Sequence, residues 1–383
     1  MNVFDFHKKG KIEIYSKYLL KNKKELSLVY TPGVADIAKS IAQDKKLLYK
    51  YTIKSNTVAI VTDGSSVLGL GNMGAEAALP VMEGKAMLFK QFADINAFPL
   101  CLNTQKSQDI ISVVRAISPV FGGINLEDIS APRCFEIEEA LQDIGIPVMH
   151  DDQHCTAIVV LASLINATRI LQKKIDDMKI VINGSGAAGT AIAKLLVCAG
   201  YHEKICKSVH DVIVCDSKGI LSKKRKNLEK HKQELVRITN KTNRDGSMKN
   251  ALEGADVFIG VSVGNILYED IIKTMNKNPI IFALANPTPE IMPEKAKKAG
   301  AAIVATGRSD FPNQINNALA FPGVFKGALD SSARKITLEM KLNAAYSLAK
   351  TITYPTRSKI IPDIFDKNVV KNISLAVRKC SEE

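Results

Sequence analysis

The sequence predicts an α/β protein of two domains: an N-terminal α/β domain with a parallel sheet, then a Rossmann-type doubly wound nucleotide-binding domain. Three observations carry this prediction. Short apolar or β-branched runs alternate with helical stretches from Thr57 to Ala305, the pattern of parallel sheets crossed by helices. The series restarts at a glycine-rich turn, Gly184-Ser185-Gly186-Ala187-Ala188-Gly189, which has dinucleotide-loop spacing. The chain is 383 residues long, too long for one typical core.

The elements follow in order. Residues 1–50 read as helical, with apolar spacing through Ile12, Ile14, Tyr18 and Leu19 and a break at Thr31-Pro32-Gly33. The run 57–62 is short and β-branched and ends at Asp63-Gly64, as a buried strand does. Helices are expected over 75–89, 107–117 and 135–143, and strands over 98–102, 120–124 and 147–149. A long apolar helix over 157–171 is expected to link the domains. Beyond it come a strand over 179–183, the glycine turn, a helix to Ala199 stopped by Gly200, and strands over 212–216, 257–259, 280–283 and 303–305. An amphipathic helix over 336–352 and a Pro-punctuated tail are expected to pack back on the first domain. The expected divisions are 1–155, 156–330 and 331–383.

Bulk properties narrow the class. Hydrophobic content of 46% and charged content of 24% are ordinary for a globular chain. The N-terminus lacks a basic-then-apolar signal design, and the longest apolar stretch, 155–167, reads as too short to span a bilayer. Seven cysteines without a CxxC pair read as reduced thiols of a cytoplasmic protein, neither a disulfide framework nor a zinc site. The net charge of +13 is mostly dispersed lysine, densest at Lys223-Lys224-Arg225-Lys226, and tryptophan is absent. Stacking platforms for nucleic acid are therefore not expected. The surface reads as solvated, and its positive field would help draw in a dianionic substrate.

Two chemistries stand out. In the glycine turn, Gly184 permits the tight turn, Gly186 the approach of a pyrophosphate, and Gly189 close helix packing, with phosphates on the helix N-terminus. Asp216 ends the following strand, where it can accept from ribose hydroxyls, and the insertion 201–210 lengthens its spacing from the turn. Lys218 could meet a 2′-phosphate or be solvated. The second chemistry is acidic. Glu127-Asp128 and Asp151-Asp152 each follow a predicted strand, so their carboxylates should converge on one crevice and suit Mg²⁺ or Mn²⁺. His150 and His154 lack a third soft ligand and read as structural or supporting residues.

Ordered motifs then point to a family. Val29-Tyr30-Thr31-Pro32-Gly33-Val34-Ala35, Val61-Thr62-Asp63-Gly64, Glu83-Gly84-Lys85-Ala86, Asn125-Leu126-Glu127-Asp128-Ile129, Asp151-Asp152-Gln153-His154 and Ala285-Asn286-Pro287-Thr288 occur in sequence. With Thr306-Gly307-Arg308-Ser309-Asp310-Phe311-Pro312-Asn313-Gln314 and Asn316-Asn317, the chain resembles a malic enzyme of the short bacterial type. The resemblance implies Lys85 as the general base on the C2 hydroxyl and Tyr30 as the general acid at C3. It implies Glu127, Asp128 and Asp152 as metal ligands, with Asp151 behind them tuning Lys85. Asn286 and Asn317 would hydrogen-bond malate, and Ser262, Val263 and Asn286 would join the glycine turn and Asp216 in holding the coenzyme. The flanks of Lys85 suggest partial burial, which would lower its pKa.

The implied activity is oxidative decarboxylation of L-malate to pyruvate and carbon dioxide. It would use NAD or NADP, NAD being favoured, with Mg²⁺ or Mn²⁺, in a cytoplasmic homodimer without nucleic-acid or membrane partners. A non-decarboxylating 2-hydroxy-acid dehydrogenase, a malolactic-type enzyme and a catalytically silent metabolite sensor are the alternatives. Some positions depart from relatives. Ser66 stands where larger members carry a malate-gripping arginine, Cys155 where short members carry glycine, and Asn96 and Asn103 where aspartates are common. Cys155 reads as a small buried residue or an oxidation-sensitive thiol.

Overall fold

The computed structural model describes residues 2–202 and 205–381. Four short helices open the chain: α1 (Val3–His7), α2 (Lys23–Val29), α3 (Val34–Gln43) and α4 (Leu47–Tyr51). None of them buries a residue. The segment 12–19 is not helical, contrary to the spacing argument. Its apolar side chains face outward, Ile14 82% and Leu19 84% exposed, and a short helix without a buried face is marginal in water.

The first sheet then forms from β1 (Thr57–Thr62), α5 (Ala75–Ala93), β2 (Asn96–Cys101), α6 (Ser107–Ile117), β3 (Gly123–Leu126), α7 (Arg133–Ala140) and β4 (Val148–His150). Its strands are parallel in the order β2-β1-β3-β4. Strand β3 starts three residues later than the sequence suggests, so Glu127 follows its last residue directly. β1 is buried along its whole length, as both-face burial of a parallel strand requires.

Helix α8 (Asp151–Leu171) starts six residues before the expected position, so Asp151 and Asp152 form its first turn rather than a loop. At 21 residues and a mean hydropathy of 1.5 it is long and apolar enough to cross a membrane, which the shorter expected stretch was not. Burial gives it another role: Ile158, Val160, Ala162 and Leu164 lie in a core that also contains Ile60 and Phe89 of the first half and Ile180 and Phe282 of the second.

The second sheet comprises β5 (Lys179–Asn183), α9 (Ala187–Leu196), β6 (Asp211–Asp216), β7 (Gly219–Ile220), α10 (Lys230–Ile238), α11 (Met248–Leu252), β8 (Val257–Gly260), α12 (Glu269–Ile272), β9 (Ile280–Ala283), α13 (Pro293–Lys298) and β10 (Ile303–Thr306). The order β10-β9-β8-β5-β6-β7 reverses direction at β5, and only the short edge strand β7 is antiparallel. This is the doubly wound arrangement, with its ligand crevice where β5 and β8 part. After α9 the chain doubles back and joins Cys198 to Cys206 in a disulfide. The expectation of seven reduced thiols is thereby corrected: the chain reversal at Gly200 brings together cysteines that no CxxC spacing links.

Helices α14 (Phe321–Asp330), α15 (Leu338–Lys350) and α16 (Asn368–Lys379) complete the chain. α15 lies on α8, α14 touches α5, and α16 packs on α14 and α15. Fully buried Asn166 of α8 donates to the carbonyls of Ala349 at 3.0 Å and Ile360 at 2.9 Å, so one amide anchors the C-terminal segment. Replacing it by leucine would leave Ile360 O without a donor among the described residues, at a cost of about 1–3 kcal/mol, while Ala349 O would keep its backbone donor, Ile352 N at 3.3 Å. Asn166→Leu is expected to lower unfolding stability by about 1–3 kcal/mol, measured as a shift of the denaturant midpoint at unchanged slope.

Candidate active site

Lys85 of α5 is the centre of a buried ionic cluster at the C-terminal ends of β3 and β4. Its ammonium donates to Glu127 Oε2 at 2.6 Å and to Asp151 Oδ2, and lies 4.2 Å from the Phe321 ring centroid, a favourable cation–π position. Asn317 donates to the same Asp151 oxygen at 2.5 Å. Asn125 and Glu127, two residues apart at the end of a strand, share a face, and Asn125 donates to Glu127 Oε2 at 2.9 Å. Asp128 adopts φ +52°, a left-handed conformation that aspartate tolerates better than most residues. Its N–H then donates to Asp152 Oδ2 at 3.0 Å, and its carbonyl accepts from Ser66 N at 2.9 Å. Asp151 and Asp152 occupy the first turn of α8, where the helix dipole favours carboxylates.

The electrostatics are those of crowded, dehydrated acids. Burial, then mutual repulsion, pushes the Asp128 carboxyl up to about 9. Burial raises Glu127 to about 7 and Asp152 to about 6 against the pull of Lys85, and it raises Asp151 as well. For Lys85, burial works against the charged form, but Asp151, Glu127 and Asp152 outweigh it and hold the ammonium above its ordinary range. This corrects the expected lowering, which counted burial and not the carboxylates on the same pocket.

The residues fit a hard divalent cation. Carboxylate oxygens of Glu127, Asp151 and Asp152 lie within 4.8 Å of one another. Asp128 Oδ2, Asp151 Oδ1 and Asn125 Oδ1 are buried without a partner among the described residues. An all-oxygen donor set of this kind suits Mg²⁺ or Mn²⁺. The tightest group thus includes Asp151, with Asp128 alongside it, whereas the resemblance implies Asp128 as a ligand and Asp151 behind.

The glycine turn runs from β5 to α9. A Cβ at Gly189 would lie 1.8 Å from the Gly184 carbonyl oxygen, and one at Gly184, where φ is +126°, would lie 2.6 Å from Val261 O. Neither position accepts a side chain. Open space faces Gly186, which caps α9, so the helix N-terminus is accessible to phosphate oxygens. Ala187 packs against the cluster of apolar side chains under the first sheet, which brings the turn beside that domain. Ser262 accepts from Asn183 Nδ2 at 2.7 Å, Val263 is 64% exposed, and Asn286 is exposed before a cis Asn286–Pro287 bond.

Tyr30 is not brought to the cluster. It caps α2, is 67% exposed, and its hydroxyl makes no hydrogen bond among the described residues. Asp216 has both carboxylate oxygens engaged by Arg225, at 2.8 and 3.0 Å. Cys155 is fully buried and its thiol is pushed well up by burial and then Asp151. His154 hydrogen-bonds Glu138 at 3.0 Å, and buried His150 stands 3.9 Å from Asp152.

Sequence reasoning missed three supports. Asn125 could have been found from strand alternation with Glu127. Glu138 accepts from His150 N, Gln153 and His154; burial would raise its carboxyl, but chiefly His154 brings it to about 2. Glu290, fully buried, accepts from Ser262 N at 3.3 Å and Ala285 N at 3.0 Å and ties the loops after β8 and β9 together. No local pattern marks Glu138 or Glu290.

Comparison with known proteins agrees with this geometry. Residues 9–142 match the family model for the malic enzyme N-terminal domain, and residues 154–381 the model for the malic enzyme NAD binding domain. The chain is 52% identical to the bifunctional malic/malolactic enzyme of Bacillus subtilis, over 98% of this chain and 90% of that one. It is 51% identical to the NAD-dependent malic enzyme of Geobacillus stearothermophilus, over 98% of this chain and 77% of the relative. The NADP-dependent malic enzyme of Escherichia coli is 41% identical, and the chain spans 52% of its length. Among solved structures, the NAD-dependent malic enzyme of Thermotoga maritima superposes with a TM-score of 0.94 at 50% identity, covering 99% of both chains. Two matching domain models and near full-length relatives at this identity establish that the chain belongs to the malic enzyme family.

Proposed function

We propose that the protein oxidatively decarboxylates L-malate to pyruvate and carbon dioxide with NAD⁺ or NADP⁺ and Mg²⁺ or Mn²⁺, as a cytoplasmic homodimer. The observation that carries this reading is the Lys85 ammonium held between Glu127 and Asp151, with Asn317 donating to that same Asp151. A lysine fixed at a carboxylate cluster beside a dinucleotide turn suits proton removal from a hydroxyl acid. A dehydrogenase that stops at the keto acid has no need of the acidic cluster.

When bound, the nicotinamide accepts the C2 hydride and the cation polarises the C2 oxygen. The cation would be held by Glu127, Asp128 and Asp152, with Asp151 able to contribute. Lys85 would take the C2 hydroxyl proton, since a cation held by those carboxylates would offset the field that otherwise keeps the lysine protonated. Asp151 and Glu127 hold the ammonium in position through that transfer. Asn317 and Asn286 orient the malate carboxylates, and Tyr30 delivers the proton to C3.

The last role requires Tyr30 to meet a cluster that its own arm leaves. Phe4, Ile14, Tyr15, Tyr18 and Leu28 of this segment are all exposed, and an apolar patch of that extent marks an interaction surface. A second copy is the fitting partner, because a two-fold dimer lets each arm carry its tyrosine to the other copy's Lys85. A second reading, malolactic chemistry giving lactate, is favoured by one observation: the relative at 52% identity is named as bifunctional.

With malate, NAD⁺ or NADP⁺ and Mn²⁺, the enzyme is expected to release carbon dioxide and pyruvate in step with reduced coenzyme, and EDTA to abolish turnover. Lactate as the product would replace this reading with the malolactic one, and reduced coenzyme without carbon dioxide would sink both. Lys85→Ala is expected to lower kcat by about 10²–10⁴-fold, as for loss of a positioned acid or base; near-normal turnover would remove Lys85 from the mechanism. Mixing inactive Lys85→Ala with inactive Tyr30→Phe tests the shared site. Exchanged subunits regain one intact Tyr30–Lys85 pair per mixed dimer if Tyr30 crosses, and none if it stays within its own copy.

A further inference from the structure

The basic run at 223–226 reads from the sequence as solvated surface, but Arg225 is not part of it in the fold. Its side chain is only 18% exposed, and its guanidinium forms a two-pronged pair with Asp216 at the end of β6. Lys232 of α10 stands 3.5 Å from the second Asp216 oxygen and also pairs with Glu229 at 3.0 Å. The Lys218 N–H donates to Asp216 at 2.9 Å. The neighbour of Lys232, His231, hydrogen-bonds the Ser185 carbonyl of the glycine turn at 3.1 Å, so this charged group belongs to the nucleotide crevice.

In a doubly wound domain, the acid ending the second strand takes the ribose hydroxyls of NAD, and its free charge repels the 2′-phosphate of NADP. Here that charge is not free. Both oxygens of Asp216 accept from a guanidinium, and two cations, Arg225 and Lys232, stand against Asp216 and Glu229. A planar guanidinium fork matches phosphate oxygens as well as carboxylate oxygens.

Resting on the malate-oxidising reading above, we infer that Arg225, assisted by Lys232, is the coenzyme-specificity residue and makes the ribose end of this site accept NADP⁺ as well as NAD⁺. Arg225 turns its fork to the 2′-phosphate when NADP⁺ binds, and stays on Asp216 when NAD⁺ binds.

The test compares kcat/KM for NADP⁺ and NAD⁺, with malate and Mn²⁺, in the wild-type enzyme, Arg225→Gln, Arg225→Lys and Lys232→Ala. Binding of NADPH, NADH and adenosine 2′,5′-bisphosphate is measured in parallel without malate. The chain has no tryptophan, so nicotinamide fluorescence reads binding without protein background from indole. Arg225→Gln is expected to weaken NADP⁺ use and binding of the bisphosphate by about 10–100-fold, the span of a lost charge-assisted hydrogen bond. NAD⁺ use and NADH binding should fall by a clearly smaller factor, because the fork reaches that coenzyme only by way of Asp216. Arg225→Lys and Lys232→Ala should show smaller losses confined to the phosphorylated ligands. Equal losses for both coenzymes in all three variants, or a wild-type enzyme that binds NADH but neither NADPH nor the bisphosphate, overturns the assignment. If malate is not oxidised with either coenzyme, the functional reading fails, and the binding measurements still decide the role of Arg225.

Discussion

The cost of keeping carboxylates out of water governs the organisation around Lys85. Four acidic side chains converge there, and Asp151 is fully buried. The effective penalty for a buried ion in a protein is several kcal/mol. A helix N-terminus under Asp151 and Asp152 returns only about 0.3–1 kcal/mol, up to about 2 in favourable buried geometries. The α8 dipole therefore cannot hold the cluster ionised alone. Lys85 supplies one compensating charge to Glu127 and Asp151, and the raised carboxyl pKa values show that one is too few. The deficit is what suits the pocket to a cation: each buried oxygen without a hydrogen-bond partner among the described residues is one that a divalent ion can satisfy.

The same helix that carries two of those acids is the main structural element joining the two sheets. Its polar first turn faces the cluster, and the remainder is almost wholly apolar and buried. Asn166, further along, fastens the C-terminal helices that pack beneath. Catalytic geometry and core packing thus share one rigid body. A side chain fixed at the start of a buried helix has little freedom to drift, which suits a site whose reacting atoms must be held to within a fraction of an ångström.

What could be read from residues alone follows from how local each signal is. The glycine turn was legible because its requirements are local: a Cβ added at Gly189 would lie 1.8 Å from the Gly184 carbonyl oxygen, so no other residue could take its place. The acidic pairs were legible as pairs because each ends a strand of the same parallel sheet. Lys85 was not, since a lone lysine on a helix reads as solvated until α5 is laid across β3 and β4; only family resemblance reached it. The sign of its pKa shift needed the positions of three carboxylates from two other segments. Helix spacing at 12–19 misled because periodicity indicates an apolar face and not what covers it. Arg225 was hidden by its own neighbours, three solvated lysines in the same run.

The two halves of the site are also joined through contacts that neither half makes by itself. Asn317, which follows the last strand of the second sheet, donates to Asp151 at the end of the first. On the coenzyme side, His231 of α10 holds the glycine turn of its own half through Ser185 O, and its ring packs, tilted by 39°, with centroid 5.0 Å from that of Phe135 of α7 in the other half. Hydrogen bonds weaken steeply with misalignment, so a small rotation of one half against the other would loosen the Asn317–Asp151 bond and part the rings of His231 and Phe135. Asp151 would lose a donor just where it holds Lys85, and His231, which braces the glycine turn, would lose its ring partner in the other half. On the proposed reading, the relative placement of the halves is therefore a chemical variable: it would set how the lysine meets the hydroxyl proton and how the pyrophosphate end of the coenzyme is held. Substrate and coenzyme that bridge the crevice would each favour the same closed placement, and so each would favour the binding of the other without any dedicated switch.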